Sequence, residues 1–75
     1  MPLINVKLIE GVFSAEQKRQ IIHKLTDTMV SSEGENMRGV TCVLVEEVAS
    51  GEWGIGGQPL TTADVKALAN GVATG

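Results

Sequence analysis

The apolar residues of this chain change period twice, and that double change leaves few folds open. Ile4, Val6 and Leu8 alternate with Leu3, Asn5, Lys7 and Ile9, so residues 2–9 read as a strand that is apolar on one face and mixed on the other. Ile21, Ile22, Leu25 and Met29 then recur at helical spacing. Residues 40–48 form the most apolar run of the chain and read as a second strand. Strand, helix and strand in that order make a βαβ unit, with parallel strands and a right-handed crossover.

The punctuation agrees with the periods. Glu10-Gly11 ends the first strand. Ser14-Ala-Glu-Gln17 is a capping box: the Ser14 hydroxyl accepts from the Gln17 amide while the Gln17 side chain reaches back. The helix is expected over 15–31, with Phe13 stapling its first turns and Gly34 near its end. The glycine-rich run 50–57 is too broken for a long strand and reads as a short hairpin. Thr61 is placed to cap a short helix reaching about Asn70, with Asp64 in its first turn, and 71–75 should fray. The whole chain, 1–75, reads as one domain, with a core over 2–57 and a C-terminal extension over 58–75.

So short a domain buries only about 60–65% of the surface it would expose unfolded. Small domains usually need disulfides, a metal or partners. Cys42 is the only cysteine and His23 the only histidine, so neither an internal disulfide nor a closed zinc site is available within one chain. No metal and no cofactor is expected. Self-association remains, and a 43% hydrophobic composition suits it. One helix on a two-stranded sheet also leaves a sheet face bare, which a second subunit can cover by stacking layers.

A net charge of −3, no basic stripe and only two aromatics, Phe13 and Trp53, argue against nucleic acid. No apolar run has membrane-spanning length, and Met1 to Glu10 lacks the pattern of a signal peptide. With a single cysteine, a cytoplasmic setting is expected.

Pro2 follows the initiator methionine, a setting from which methionine is commonly trimmed. Trimming would leave a secondary amine at the head of a strand. Burial in an apolar pocket disfavours its protonated form and brings it towards a useful general base. Glu46 and Glu47, adjacent on a strand, point to opposite faces and form no acid–base pair. Cys42 in an apolar strand reads as an inert thiol. The glycine run lacks a Walker lysine and a following Rossmann-type helix, so it is not a phosphate cradle.

Pro2-Leu-Ile, Glu10-Gly11, Glu16-Gln17-Lys18, Glu46-Glu47-Val48 and Gly51-x-Trp53-Gly54-Ile55-Gly56-Gly57 follow one another as in the 4-oxalocrotonate tautomerase family, and over residues 2–57 the chain resembles it. The resemblance implies a βαβ subunit with a C-terminal hairpin and short helix, assembling into layered oligomers: a dimer with a four-stranded sheet, and commonly a homohexamer built as a trimer of dimers. It implies that Pro2 is the catalytic amine, moving a proton α to a carbonyl in a small keto or enol substrate. Relatives with hydratase or dehalogenase-type chemistry use the same proline. Trp53 matches the aromatic that lines the family's site.

The match departs where the prototype carries two arginines. Val12 stands at the first position and Cys42 at the second. A dicarboxylate substrate loses both its cations, and a substrate with one carboxylate or none is expected. Arg38, four residues before Cys42, is the remaining candidate for a substrate contact. Val12, Phe13, Cys42 and Trp53 are candidate walls. The alternatives are a non-catalytic member of the same fold, and an asymmetric oligomer in which a paralogous subunit supplies the arginines.

Overall fold

A computed structural model describes residues 1–71. The chain runs β1 (Leu3–Ile9), α1 (Ala15–Glu33), a 3-10 turn (Glu35–Val40), β2 (Cys42–Val48), β3 (Trp53–Ile55), β4 (Gln58–Leu60) and α2 (Thr62–Ala69). β1 and β2 pair as one two-stranded sheet, and β3 and β4 as another. The Cys42 N–H donates to the Pro2 carbonyl at one end of the first sheet, and the Glu10 N–H to the Val48 carbonyl at the other. Both strands therefore advance in the same direction. The parallel βαβ unit, the hairpin and the short final helix are those expected from the sequence.

The chain forms two compact units, one of residues 1–6 and 13–46, the other of residues 7–12 and from Glu47 onwards. In the first, Ser14 opens α1 as its capping box prescribes. Its hydroxyl accepts from the Gln17 N–H at 3.1 Å, and the Gln17 side chain accepts from the Ser14 N–H at 2.8 Å. α1 continues to Glu33, two residues past the expected end, before Gly34 (φ 103°) stops it with its N–H on the Val30 carbonyl. Val30 is buried at 6% exposed. Val40 belongs to the 3-10 turn, so β2 starts at Cys42 rather than at residue 40.

In the second unit, Gly56 and Gly57 both have positive φ (57° and 82°). Two consecutive left-handed residues form the two-residue turn whose twist suits a hairpin. That is the physical reason for the Gly56-Gly57 pair. The register pairs Trp53 with Leu60, Gly54 with Pro59 and Ile55 with Gln58, so the hairpin extends beyond residue 57 into β4. Thr61 caps α2, and Asp64 completes a second capping box. Thr62 ties α2 to the end of β1: its hydroxyl donates to the Glu10 carbonyl at 2.6 Å, and its N–H to the Ser50 hydroxyl at 2.9 Å. Gly11 (φ 81°) lies against it, and a Cβ there would stand 3.1 Å from the Thr62 methyl. Gly71 is in a turn, and the expected fraying of 72–75 lies outside the described residues.

The alternation along β1 is borne out, with Ile4, Val6 and Leu8 half-buried and Leu3, Asn5 and Lys7 exposed. Ile9 breaks it. It falls on the open face yet is 6% exposed, next to the point where Thr62 fastens α2. Elsewhere on that face Leu3 (61% exposed) and Leu44 (47%) stay open, beside an Asn5 amide that donates to the Glu46 carboxylate at 2.8 Å.

Candidate active site

Pro2 is half-buried at the head of β1, behind a Met1 that is 87% exposed. A proline has no backbone N–H once acylated, and an amine that is to act as a base must keep its lone pair free. The group of Pro2 that can be fastened without spending the nitrogen is its carbonyl. That carbonyl accepts the Cys42 N–H at 3.0 Å. The ladder thus brings Pro2 and Cys42 together, with the Cys42 thiol half-buried and unbridged. No cation enters the strand at that position.

Arg38 sits on the 3-10 turn and is spread over two carboxylates. Its Nε and Nη2 donate to Glu35 at 2.7 and 3.3 Å, and its Nη1 donates to Asp27 on α1 at 2.8 Å. These bonds, that to Glu35 foremost, raise the guanidinium above its ordinary value. They likewise hold the carboxyls of Asp27 and Glu35 below the usual range, against a smaller opposing effect of burial. His23 Nε2 lies 3.3 Å from Asp27, an ion pair only when the imidazole is protonated. Two carboxylates around one guanidinium leave little positive potential for an incoming anion.

Thr41, between that turn and β2, is more heavily engaged than its sequence context announces. Its N–H donates to the Arg38 carbonyl at 3.2 Å. Its hydroxyl lies 2.8 Å from the Met37 carbonyl and 2.5 Å from the Glu33 carboxylate at the end of α1. The Glu35–Arg38 pair, three residues apart, lies within the 3-10 turn. The Asp27–Arg38 and Glu33–Thr41 pairs, eleven and eight residues apart, carry no local sequence signal.

In the second unit Trp53 is half-buried on β3. Lys7, Val48, Glu52, Trp53 and Gly54 line an open groove there, with an indole, an ammonium and a carboxylate at one place. Val12 is half-buried in the loop after β1. Lys7 was assigned to a strand face and given no role by its sequence context. Among the described residues no group of three or more His, Cys, Asp or Glu side chains could hold a metal ion. No helix among them is long and apolar enough to cross a membrane.

The parallel βαβ unit and the glycine-turned hairpin can be set beside known proteins. Residues 2–63 match the family model described as tautomerase enzyme. The probable tautomerase K2 of Dickeya dadantii is 38% identical over 61 residues, covering 81% of this chain and 90% of that protein. A probable tautomerase of Helicobacter pylori strain J99 is 37% identical over 62 residues, covering 80% and 90%. Among solved structures, one of the 4-oxalocrotonate tautomerase isozymes from Methylibium petroleiphilum superposes with a TM-score of 0.69 at 33% identity, over 85% of this chain and 97% of that one. An apo "unFused 4-OT" superposes with a TM-score of 0.71 at 36% identity, over 79% and 93%. The chain belongs to the 4-oxalocrotonate tautomerase family and is a tautomerase-like isomerase.

Proposed function

We propose that Pro2, freed by removal of Met1, is the general base of a proton transfer α to a carbonyl in a small keto or enol compound. The neutral amine takes the proton of the enol hydroxyl, the electron pair moves through the enolate, and the prolinium returns that proton to carbon. Nothing is consumed, and no cofactor is required. The observation that carries the reading is the tether of Pro2: the carbonyl is fastened to Cys42 at 3.0 Å, and the nitrogen end leads out to an exposed residue.

The substrate is proposed to carry one carboxylate or none. Val12 and Cys42 bring no charge, and the charge of Arg38 is already shared by Asp27 and Glu35. In this reading Arg38 meets the substrate as a hydrogen-bond donor, through N–H groups outside those bonds, and Trp53 offers an apolar wall. The working form is proposed to be a homo-oligomer, a hexamer in the pattern of the resemblance. The exposed Leu3 and Leu44 support a covered sheet face.

Replacing Pro2 tests the base. Pro2→Ala keeps a trimmable terminus and gives a primary amine of different shape and basicity. The expected result is at least about a ten-fold fall in kcat/KM, at the low end of what a positioned acid or base contributes. Stability should change little. Intact mass must show Met1 absent in the active parent. Equal activity in trimmed and methionine-retaining forms would defeat the mechanism.

A further inference from the structure

We propose that Thr41 is a positioning residue for the proline amine, acting through the amide of Cys42. This rests on Pro2 being the base. The amine cannot be used to hold the residue in place, because a bonded lone pair accepts no proton. The direction of the ring nitrogen is therefore set from the other end of Pro2, by the hydrogen bond its carbonyl accepts from Cys42. Whatever fixes that N–H fixes the base.

The Cys42 amide is the first of β2, and the peptide that carries it is formed with Thr41. The Thr41 N–H is tied to Arg38, and its hydroxyl sits between the Met37 carbonyl and the Glu33 carboxylate. Its single hydrogen is thus offered to two acceptors, one at the end of α1 and one in the 3-10 turn. Arg38 fastens the same turn to α1 through Asp27, and braces the turn internally through Glu35. α1 is the long element of this unit, and these bonds carry its position through Thr41 to Cys42 and so to Pro2. Displacing a reacting group by about 1 Å can cost about a hundred-fold in rate, so a modest loosening of this corner is readable in kcat.

The experiment compares Thr41→Val, which keeps the shape and removes the hydroxyl, with Thr41→Ser, which keeps the hydroxyl, and with Pro2→Ala, all on the trimmed full chain. A monoacid enol of the phenylpyruvate type serves as the probe substrate. Thr41→Val is expected to lower kcat about ten-fold with KM within about two-fold of the parent, as misorientation of a base affects the chemical step and not the binding. Thr41→Ser is expected to restore most of kcat. A parental kcat in Thr41→Val overturns the proposal. Equal loss in Thr41→Val and Thr41→Ser also overturns it, because the hydroxyl would then not be the cause. Should Thr41→Val fail to fold, Glu33→Ala decides. It removes the helix end of the link and leaves β2 intact, and a fall in kcat at constant KM supports the proposal where a parental kcat overturns it. Pro2→Ala separates the two levels: parental activity there defeats the base itself, whatever Thr41 does.

Discussion

Val12 and Cys42 are uncharged at the two positions where the family prototype has arginines, and the cation nearest to Cys42 in sequence, Arg38, is bonded to two carboxylates. A developing enolate with a carboxylate at each end needs cations that are not already engaged. We therefore expect kcat/KM for a monoacid enol to exceed that for a dicarboxylate enol. Val12→Arg should narrow the difference. A charge-assisted hydrogen bond in a partly buried site is worth roughly 1.5–3 kcal/mol, about ten- to a hundred-fold in use of the anionic substrate. Oligomeric state has to be followed alongside, since an unpaired buried guanidinium destabilises. A folded, assembled Val12→Arg variant with parental kinetics would place Val12 away from the substrate. The charge at Arg38 has its own pH signature. Asp27 and Glu35 have lowered folded-state values, so the stability their bonds contribute is complete above the ordinary carboxylate range. It is lost as pH falls through the lowered values. The clamp is an acid-sensitive feature, far below the range in which a proline amine would titrate.

α1 depends at its start on one side-chain exchange, the reciprocal pair of Ser14 and Gln17. Ser14→Ala should lower unfolding stability by about 1 kcal/mol, the usual cost of an N-cap, read from urea or thermal unfolding. A change below about 0.3 kcal/mol would mean that packing of the helix, rather than its cap, decides where it begins. Both capping boxes were legible because their chemistry is local: a hydroxyl at the cap and a partner three residues on. The alternation of β1 and the turn glycines were legible for the same reason. The 3-10 turn was not. Glu35-Asn-Met-Arg-Gly-Val has no period, and Val40 extends the apolar run of β2 by composition while its backbone belongs to the turn. β4 falls beyond the hairpin expected over 50–57, in a segment where Pro59 is unfavourable to a strand. The register explains its tolerance: Pro59 faces Gly54, one pair in from the turn-closing Ile55 and Gln58, where an antiparallel ladder uses no N–H. Of the proposed site, Pro2 is singled out by its place behind Met1 only when read together with the motifs of the resemblance. The bond from Cys42 that holds it, and the Glu33–Thr41 link behind that bond, join residues far apart in sequence and were not legible.

Few residues of the chain are enclosed by the chain itself. Ile9 and Val30 are the buried ones among those described, while Leu3 and Leu44 lie open on one sheet face and Ile55 (60% exposed) and Leu68 (56%) are open in the other unit. Covering a leucine fully contributes about 1.5–3 kcal/mol, so a partner on that sheet face gains from both Leu3 and Leu44. Leu44→Asp should reduce the assembly at micromolar concentration, seen by sedimentation, while the parent runs as an oligomer. An unchanged sedimentation coefficient for Leu44→Asp would mean that Leu44 lies outside the interface. A parent that sediments as a folded monomer would remove the need for a covered face. The tether of Pro2 by its carbonyl has one more consequence. Folding places no demand on the proline nitrogen, so with Pro2 as the base a chain that keeps Met1, or bears an amino-terminal affinity tag, folds normally and is silent. Specific activity then reports how completely methionine aminopeptidase has kept pace with synthesis. Preparations alike in purity and melting point can differ in turnover through that single missing cleavage.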